Sequence, residues 1–105
     1  MLLTTAFAGL GFEVIHHPNH DGSNGPDLWV KKANGRPLSV EIKKARKGSN
    51  GTWQVDPVQK LRQRDDLIAI ICSSQYVLIH PMEEHLKLCS PKGTRQMTLL
   101  LGANP

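Results

Sequence analysis

Two acids and an amine lie in one short stretch of this sequence, at a spacing suited to holding a hard cation. Asp27 opens a run to Lys32 that reads as a strand, Pro37 to Lys44 reads as the next, and Ala33-Asn34-Gly35 lies between them. The register of that hairpin decides whether Asp27 and Glu41 meet. A two-residue Asn-Gly turn would pair Ala33 with Arg36, set Asp27 opposite Ile42 and send the carboxylates to opposite faces. A three-residue loop, with Gly35 in the left-handed conformation, pairs Lys32 with Arg36. Asp27 then lies opposite Glu41, Leu28 opposite Val40, and Val30 opposite Leu38. This second register gathers Leu28, Val30, Leu38, Val40 and Ile42 on one apolar face and Asp27, Trp29, Ser39, Glu41 and Lys43 on the other. Burial sets register more firmly than a dipeptide preference, so the second register is expected.

Neighbouring carboxylates repel unless a cation sits between them. Mg²⁺ typically binds through one or two carboxylates, water and phosphate oxygens. Lys43, two residues from Glu41, points the same way, where it can hold an attacking water or stabilise charge on a phosphorane-like transition state. The plainer alternative is a salt bridge across a wet sheet face.

The elements that must position these residues follow from periodicity and punctuation. Leu2 to Leu10 reads as a short helix ended by Gly9 and Gly11, and Phe12 to His17 as a strand. Pro18 to Pro26 is a polar loop. Arg46 to Thr52 reads as a basic, Gly-containing loop. Asp56 suits an N-cap with Pro57 at the first helical position, which predicts a helix to about Asp65. Leu67 to Cys72 is a continuous apolar run, as in a buried strand. Gln75 to His80 is a further strand, Met82 to Leu88 a last helix, and Thr94 to Leu101 a strand or an arm. The order α-β-β-β-α-β-β-α predicts an α/β fold in which helices flank a mixed central sheet.

With 105 residues, one domain over residues 1–105 is expected. Apolar residues make up 39% and charged residues 21%, as in an ordinary globular domain and unlike a disordered tail. The run Leu67 to Cys72 is too short to span a bilayer, and no secretory signal is visible, so no membrane partner is expected. Cys72 and Cys89 do not make a disulfide scaffold, and a reducing cytoplasmic compartment is the default. The net charge is +4, but its layout says more. Ten of the 13 basic residues lie between Lys31 and Arg64, opposed only by Glu41 and Asp56, so that stretch is eight charges positive and the remainder four negative. Such asymmetry suits a face that meets a polyanion, or a solvated Lys-rich hairpin.

Gly25-Pro26-Asp27-Leu28 followed by Val40-Glu41-Ile42-Lys43 resembles the PD-(D/E)XK nuclease signature, with a hairpin between its halves. Within that superfamily the chain is most similar to virus-type replication–repair nuclease domains and Holliday junction resolvases, over roughly Gly11 to Leu88. The resemblance implies a restriction-endonuclease-like αβββαβ core. It implies Asp27 and Glu41 as ligands of Mg²⁺, for which Mn²⁺ can substitute, the backbone carbonyl of Ile42 as a further ligand, and Lys43 as the catalytic lysine. Many related domains place a glutamine at the start of the helix after the third strand. Here that is Gln59, which would orient the water, the lysine or the scissile phosphate, or else is a solvent-facing helix residue; Gln63, one turn on, is the fallback. One departure stands out. Superfamily members often carry a glutamate in the first helix, whereas Met1 to Leu10 contains no acid. The third carboxylate is then absent, replaced by water, or supplied by Glu13 or Asp21.

The expectation is a metal-dependent DNA endonuclease, cutting in line to leave a 5′-phosphate and a 3′-hydroxyl as the resemblance implies. Lys44, Arg46, Lys47, Lys60, Arg62 and Arg64 would hold the DNA backbone, contacts that carry no sequence preference by themselves. His16, His17 and His20 precede the motif without the further ligands that zinc needs. His20 suits phosphate contact or protonation of the leaving group. Trp29 and Trp53 flank the basic region and can stack on bases or pack in the core. No reading element is evident, so structure-selective cleavage of branched DNA is expected, with a homodimer supplying two cuts and Met97 to Leu101 as a candidate interface or exchanged strand. A bacterial or phage-infected cell would be the setting. The competing readings are a binding module that keeps the fold without the activity, and a restriction-type nuclease subunit.

Overall fold

The computed structural model describes residues 2–15, 28–48, 51–59, 63–73 and 76–98. In chain order the elements are α1 (Leu2–Gly9), β1 (Glu13–Ile15), β2 (Leu28–Lys31), β3 (Leu38–Lys47), β4 (Thr52–Val55), β5 (Leu67–Ser73), β6 (Tyr76–Pro81), α2 (Met82–Leu88) and β7 (Arg95–Thr98). The strands form one mixed sheet. β1, β2 and β3 run antiparallel in turn, and so do β3, β4 and β7. β5 lies parallel to β3 and antiparallel to β6. The α/β class, with a mixed sheet flanked by helices, is as the sequence predicts. Among the described residues no helix is long and apolar enough to cross a membrane.

Two hydrophobic clusters, one on each face, hold the sheet. Even-numbered residues of β3 and odd-numbered residues of β5 face α1: Val40 and Ala69 are fully buried with Val30 and Phe7, and Ile42 and Leu67 pack beside them. The opposite set faces α2: Ala45, Ile68, Ile70 and Cys72 are buried with Val55, Val58, Met82 and Met97. β5 is apolar on both faces because both are covered, which is why it reads as an unbroken apolar run. Burial also raises the Cys72 thiol pKa, so this cysteine is a core residue. Helix α1 ends by the device its glycines suggest. Gly11 takes φ 87°, and the Phe12 N–H reaches back to the Phe7 carbonyl at 2.9 Å. The two rings then meet edge to face at 5.9 Å, closing a Schellman-type cap with its apolar contact.

The β2–β3 register is Leu28↔Val40, Trp29↔Ser39 and Val30↔Leu38, as burial predicts. The turn differs in detail. Gly35 is not among the glycines at positive φ; its N–H closes a turn onto the Lys32 carbonyl at 3.0 Å.

The larger departure follows β3. The strand continues through the expected basic loop to Lys47, and Thr52–Val55 forms β4 against it, with Lys47 opposite Trp53 and Ala45 opposite Val55. The helix expected from Asp56 to Asp65 is not found: residues 56–59 and 63–65 are not helical, and 60–62 lie outside the described residues. The backbone donors there are engaged elsewhere. Asp56 N–H binds the Lys44 carbonyl at 2.9 Å, and Val58 N–H binds the Gly93 carbonyl at 3.1 Å. Asp56 precedes a proline, which favours extended backbone and disfavours the helical region. The tail does form a strand, β7, but Met97 lies in the chain's own core opposite Trp53, so it is not available as an interface residue; residues 99–101 lie outside the described residues.

Two positions test this packing. Gly93 sits at φ 86°, and a Cβ there would run into the Val58 carbonyl oxygen, whereas Gly9 has open space. Gly93→Ala should cost at least about 2 kcal/mol in urea unfolding, and Gly9→Ala should change stability by no more than about 1 kcal/mol. His85 is fully buried; Arg95 Nη1 donates to its Nδ1 at 3.2 Å, and its Nε2 has no hydrogen-bond partner among the described residues. Burial, then the charges of Arg95 and His80, push its pKa down to about 4. The unfolded chain therefore takes a proton on His85 near pH 6.5 that the folded chain refuses until about pH 4. Stability should fall as pH drops through that window, His80 adding in the same direction. His85→Leu should flatten the urea midpoint between those pH values.

Candidate active site

Glu41 and Lys43 point to the α2 side of β3, where they stand beside Ile68 and Ile70 of β5, both fully buried. Acid and amine thus sit at the rim of the core, with side chains only 23% and 26% exposed. Lys43 Nζ lies 3.9 Å from Glu41 Oε1. In front of them opens a cleft of about 290 Å³ lined by Glu41, Lys43, Pro57, Gln59 and Gln63. Neither Gln59 nor Gln63 lies in a helix. The bonds from Asp56 to Lys44 and from Val58 to Gly93 pin the extended segment, and buried Val58 anchors it. Gln59 is then carried, exposed, into the cleft. Gln63 Oε1 accepts the Asp65 N–H at 3.0 Å.

The residues singled out in the sequence fall into three groups. Glu41, Lys43, Gln59 and Gln63 come together in one cleft. Lys44, Arg46 and Lys47 lie exposed on the second half of β3, and Arg64 is exposed with Nη1 bonded to the Gln63 carbonyl at 3.1 Å. Asp27, His16, His17, His20, Asp21, Lys60 and Arg62 lie outside the described residues. Peptide groups alternate along a strand, so the Ile42 carbonyl points to the same edge of β3 as that of Lys44, the edge where Asp56 binds. Helix α1 has no acid in its first turn, and Glu13 is exposed at the start of β1. Trp53 packs against the core, and Trp29 is half-buried in β2.

One acid that matters was not evident from sequence. Asp66, just before β5, accepts from the Ser39 N–H at 3.0 Å and from Arg36 Nη2 at 3.1 Å. Its own N–H reaches Ser39 Oγ, also at 3.1 Å. Burial alone would raise its pKa, but Arg36 and the Ser39 donors outweigh that and hold it below the usual carboxylate value. This carboxylate clamps the start of β5 to the start of β3. Another surface pair, Arg46 Nε to Asp56 Oδ1, spans 3.5 Å.

Among solved structures the chain is similar to a bacterial homing endonuclease, I-Ssp6803I, with a TM-score of 0.68 and 16% identity over 93% of this chain and 68% of that one. At that identity the likeness establishes a shared fold. No protein-family profile and no curated protein matches the sequence.

The two kinds of acid should separate in stability measurements. An ion pair at the rim of a sheet contributes under about 1 kcal/mol, so Glu41→Gln and Lys43→Met should each leave urea stability within that range. Asp66→Asn removes the charged acceptor of a part-buried backbone N–H and should cost about 1–3 kcal/mol. A loss above about 2 kcal/mol at Glu41 or Lys43 would mark those residues as structural.

Proposed function

We propose that this chain is a metal-dependent DNA endonuclease of the PD-(D/E)XK type. The observation that carries the reading is the meeting of Glu41, Lys43, Gln59 and Gln63 in one cleft, on a fold similar to that of a homing endonuclease. The donors fit a hard divalent ion: a carboxylate at the rim of the core, amide oxygens, and a strand-edge carbonyl at Ile42. Glu41, Asp27 and the Ile42 carbonyl would hold it. When bound, Mg²⁺ or Mn²⁺ supplies positive charge against the scissile phosphate and makes a nearby water more acidic.

The remaining steps belong to the chain's own groups. Lys43, drawn toward Glu41 at the edge of an apolar wall, places its ammonium where negative charge grows on the phosphorus oxygens. Partial burial strengthens that interaction relative to open solvent. Gln59 offers both a donor and an acceptor to orient the attacking water or the phosphate. The water attacks phosphorus opposite the 3′-oxygen and gives up a proton to solvent, the P–O3′ bond breaks, and the departing oxygen takes up a proton, which His20 or solvent supplies. The products are a 5′-phosphate and a 3′-hydroxyl. Lys44, Lys47, Lys60, Arg62 and Arg64 hold the DNA backbone on either side, and Arg46 meets the same duplex. Two copies of the chain would make paired cuts. The lack of an acid in the first turn of α1 favours, as a second reading, a module that binds DNA without cutting it.

The purified protein should cut at least one of four-way junction, flap, linear duplex or single-stranded DNA in Mg²⁺ or Mn²⁺, and none in EDTA. Asp27→Ala and Lys43→Ala should each slow cleavage at least about 100-fold. Cleavage that survives both substitutions removes this site. Binding of DNA with no cleavage under any condition establishes the binding module instead.

A further inference from the structure

Beyond the cleft, one row of side chains crosses three strands in register. Arg46 of β3 stands opposite Gln54 of β4, and Gln54 stands opposite Gln96 of β7. Directly paired residues share a face of the sheet. The alternate set on these strands, Ala45, Val55 and Met97, is buried in the core. Arg46, Gln54 and Gln96 therefore face the other way, and all three are exposed. Lys44 lies two residues along β3 from Arg46 and is exposed on the same face. Arg46 and Gln54, with Lys47, Asp56 and Pro57, line an open cleft of about 440 Å³. Pro57 also lines the Glu41–Lys43 cleft, so the row and the candidate active site are neighbours on the surface.

We propose that the Arg46–Gln54–Gln96 row is a base-reading surface that lies in the major groove of duplex DNA. The inference rests on the reading of this chain as a DNA-binding protein and adds to it sequence selectivity. Guanidinium and carboxamide groups are the side chains whose paired hydrogen-bonding atoms match purine edges in that groove: Arg to the O6 and N7 of guanine, Gln to the N6 and N7 of adenine. The dimensions agree. Each adjacent pair in the row, β3–β4 or β4–β7, spans one interstrand step of about 4.8 Å, the width of the two-stranded ribbon that a major groove about 12 Å wide admits. A β-ribbon is one of the elements known to enter it. Charge is complementary as well, because Lys44 stands on the same face beside the row and Lys47 lines the cleft with Arg46. Asp56 holds Arg46 at 3.5 Å, but with Arg46 83% exposed that pair is a weak one that a guanine can replace. Structure-selective cleavage is expected only if the chain has no reading element, and this row is such an element.

Selection of bound sequences from a randomised duplex pool in EDTA tests the row without requiring cleavage. The wild-type protein should enrich a motif. Gln54→Ala and Gln96→Ala should each relax preference at one or two base pairs by about 5- to 100-fold. Neither removes a charge, so the salt dependence of binding should stay as in wild type, while Lys44→Ala should lower its slope by about one unit. Replacing a preferred adenine with 7-deazaadenine, which lacks the major-groove N7, should weaken wild type and leave the glutamine variant that reads it unaffected. Enrichment of no motif, or the same motif from wild type and both glutamine variants, overturns the proposal. A protein that selects sequences through these glutamines yet cuts nothing keeps the row and loses the nuclease. One that cuts with a profile indifferent to them does the reverse.

Discussion

β3 bonds to three other strands, and the alternation of its peptide groups decides where each attaches. Odd-numbered groups near its start turn toward β5: Ser39 takes the Asp66 N–H on its carbonyl and gives its own N–H to the Asp66 carboxylate. Even-numbered groups turn to the opposite edge, where Lys44 takes the Asp56 N–H. That edge is shared. Among the described pairings, β2 covers it up to Val40 and β4 resumes at Ala45. The interval between them holds Glu41, Ile42, Lys43 and Lys44. β5 pairs along this interval on one side, and on the other the segment that carries Pro57 and Gln59 lines the cleft with Glu41 and Lys43.

The same alternation sorts charges by environment. Glu41 and Lys43 fall on the face that β5 lines with Ile68 and Ile70, so they sit against a dry wall with one side open. Arg46 falls on the face turned to water. A charge at the rim of a core acts over short range with high local strength; one in open solvent is screened and exchanges partners easily. The first setting suits chemistry on one bond, and the second suits grip on a long polyanion. A single strand provides both because a step of one residue reverses the face.

What was legible in the sequence were the features set by local pattern. The hairpin register, the buried run at Leu67, the helix Met82–Leu88 and the shared face of Glu41 and Lys43 follow from apolar alternation and spacing; Gln59 is placed beside them by the resemblance, though it does not lie in the helix expected there. The segment after β3 was not legible in the same way. Asp56-Pro57 suits the start of a helix, and equally the end of a strand, because a proline fixes only its own φ and restricts the residue before it. The choice is made by partners far along the chain, Lys44 and Gly93, whose carbonyls take the donors. Thr52-Trp53-Gln54-Val55 carries the residue types of a strand, but its pairing needs β7 on its outer side, over 40 residues away. Local propensity does not contain that information.

The Asp66–Ser39 clamp also has a kinetic consequence. It joins residues 27 apart and fixes the start of the parallel pairing between β3 and β5. Parallel strands cannot be joined by a tight turn, so the chain must close this long loop before the pairing gains anything. In the simplest chain-statistics picture the length-dependent part of that closure costs about 3 kcal/mol. β2–β3 and β5–β6, whose partners lie close in sequence, can zip earlier. Among the described partners of β3, β5 closes the longest loop, and the clamp stands at the point where that pairing begins.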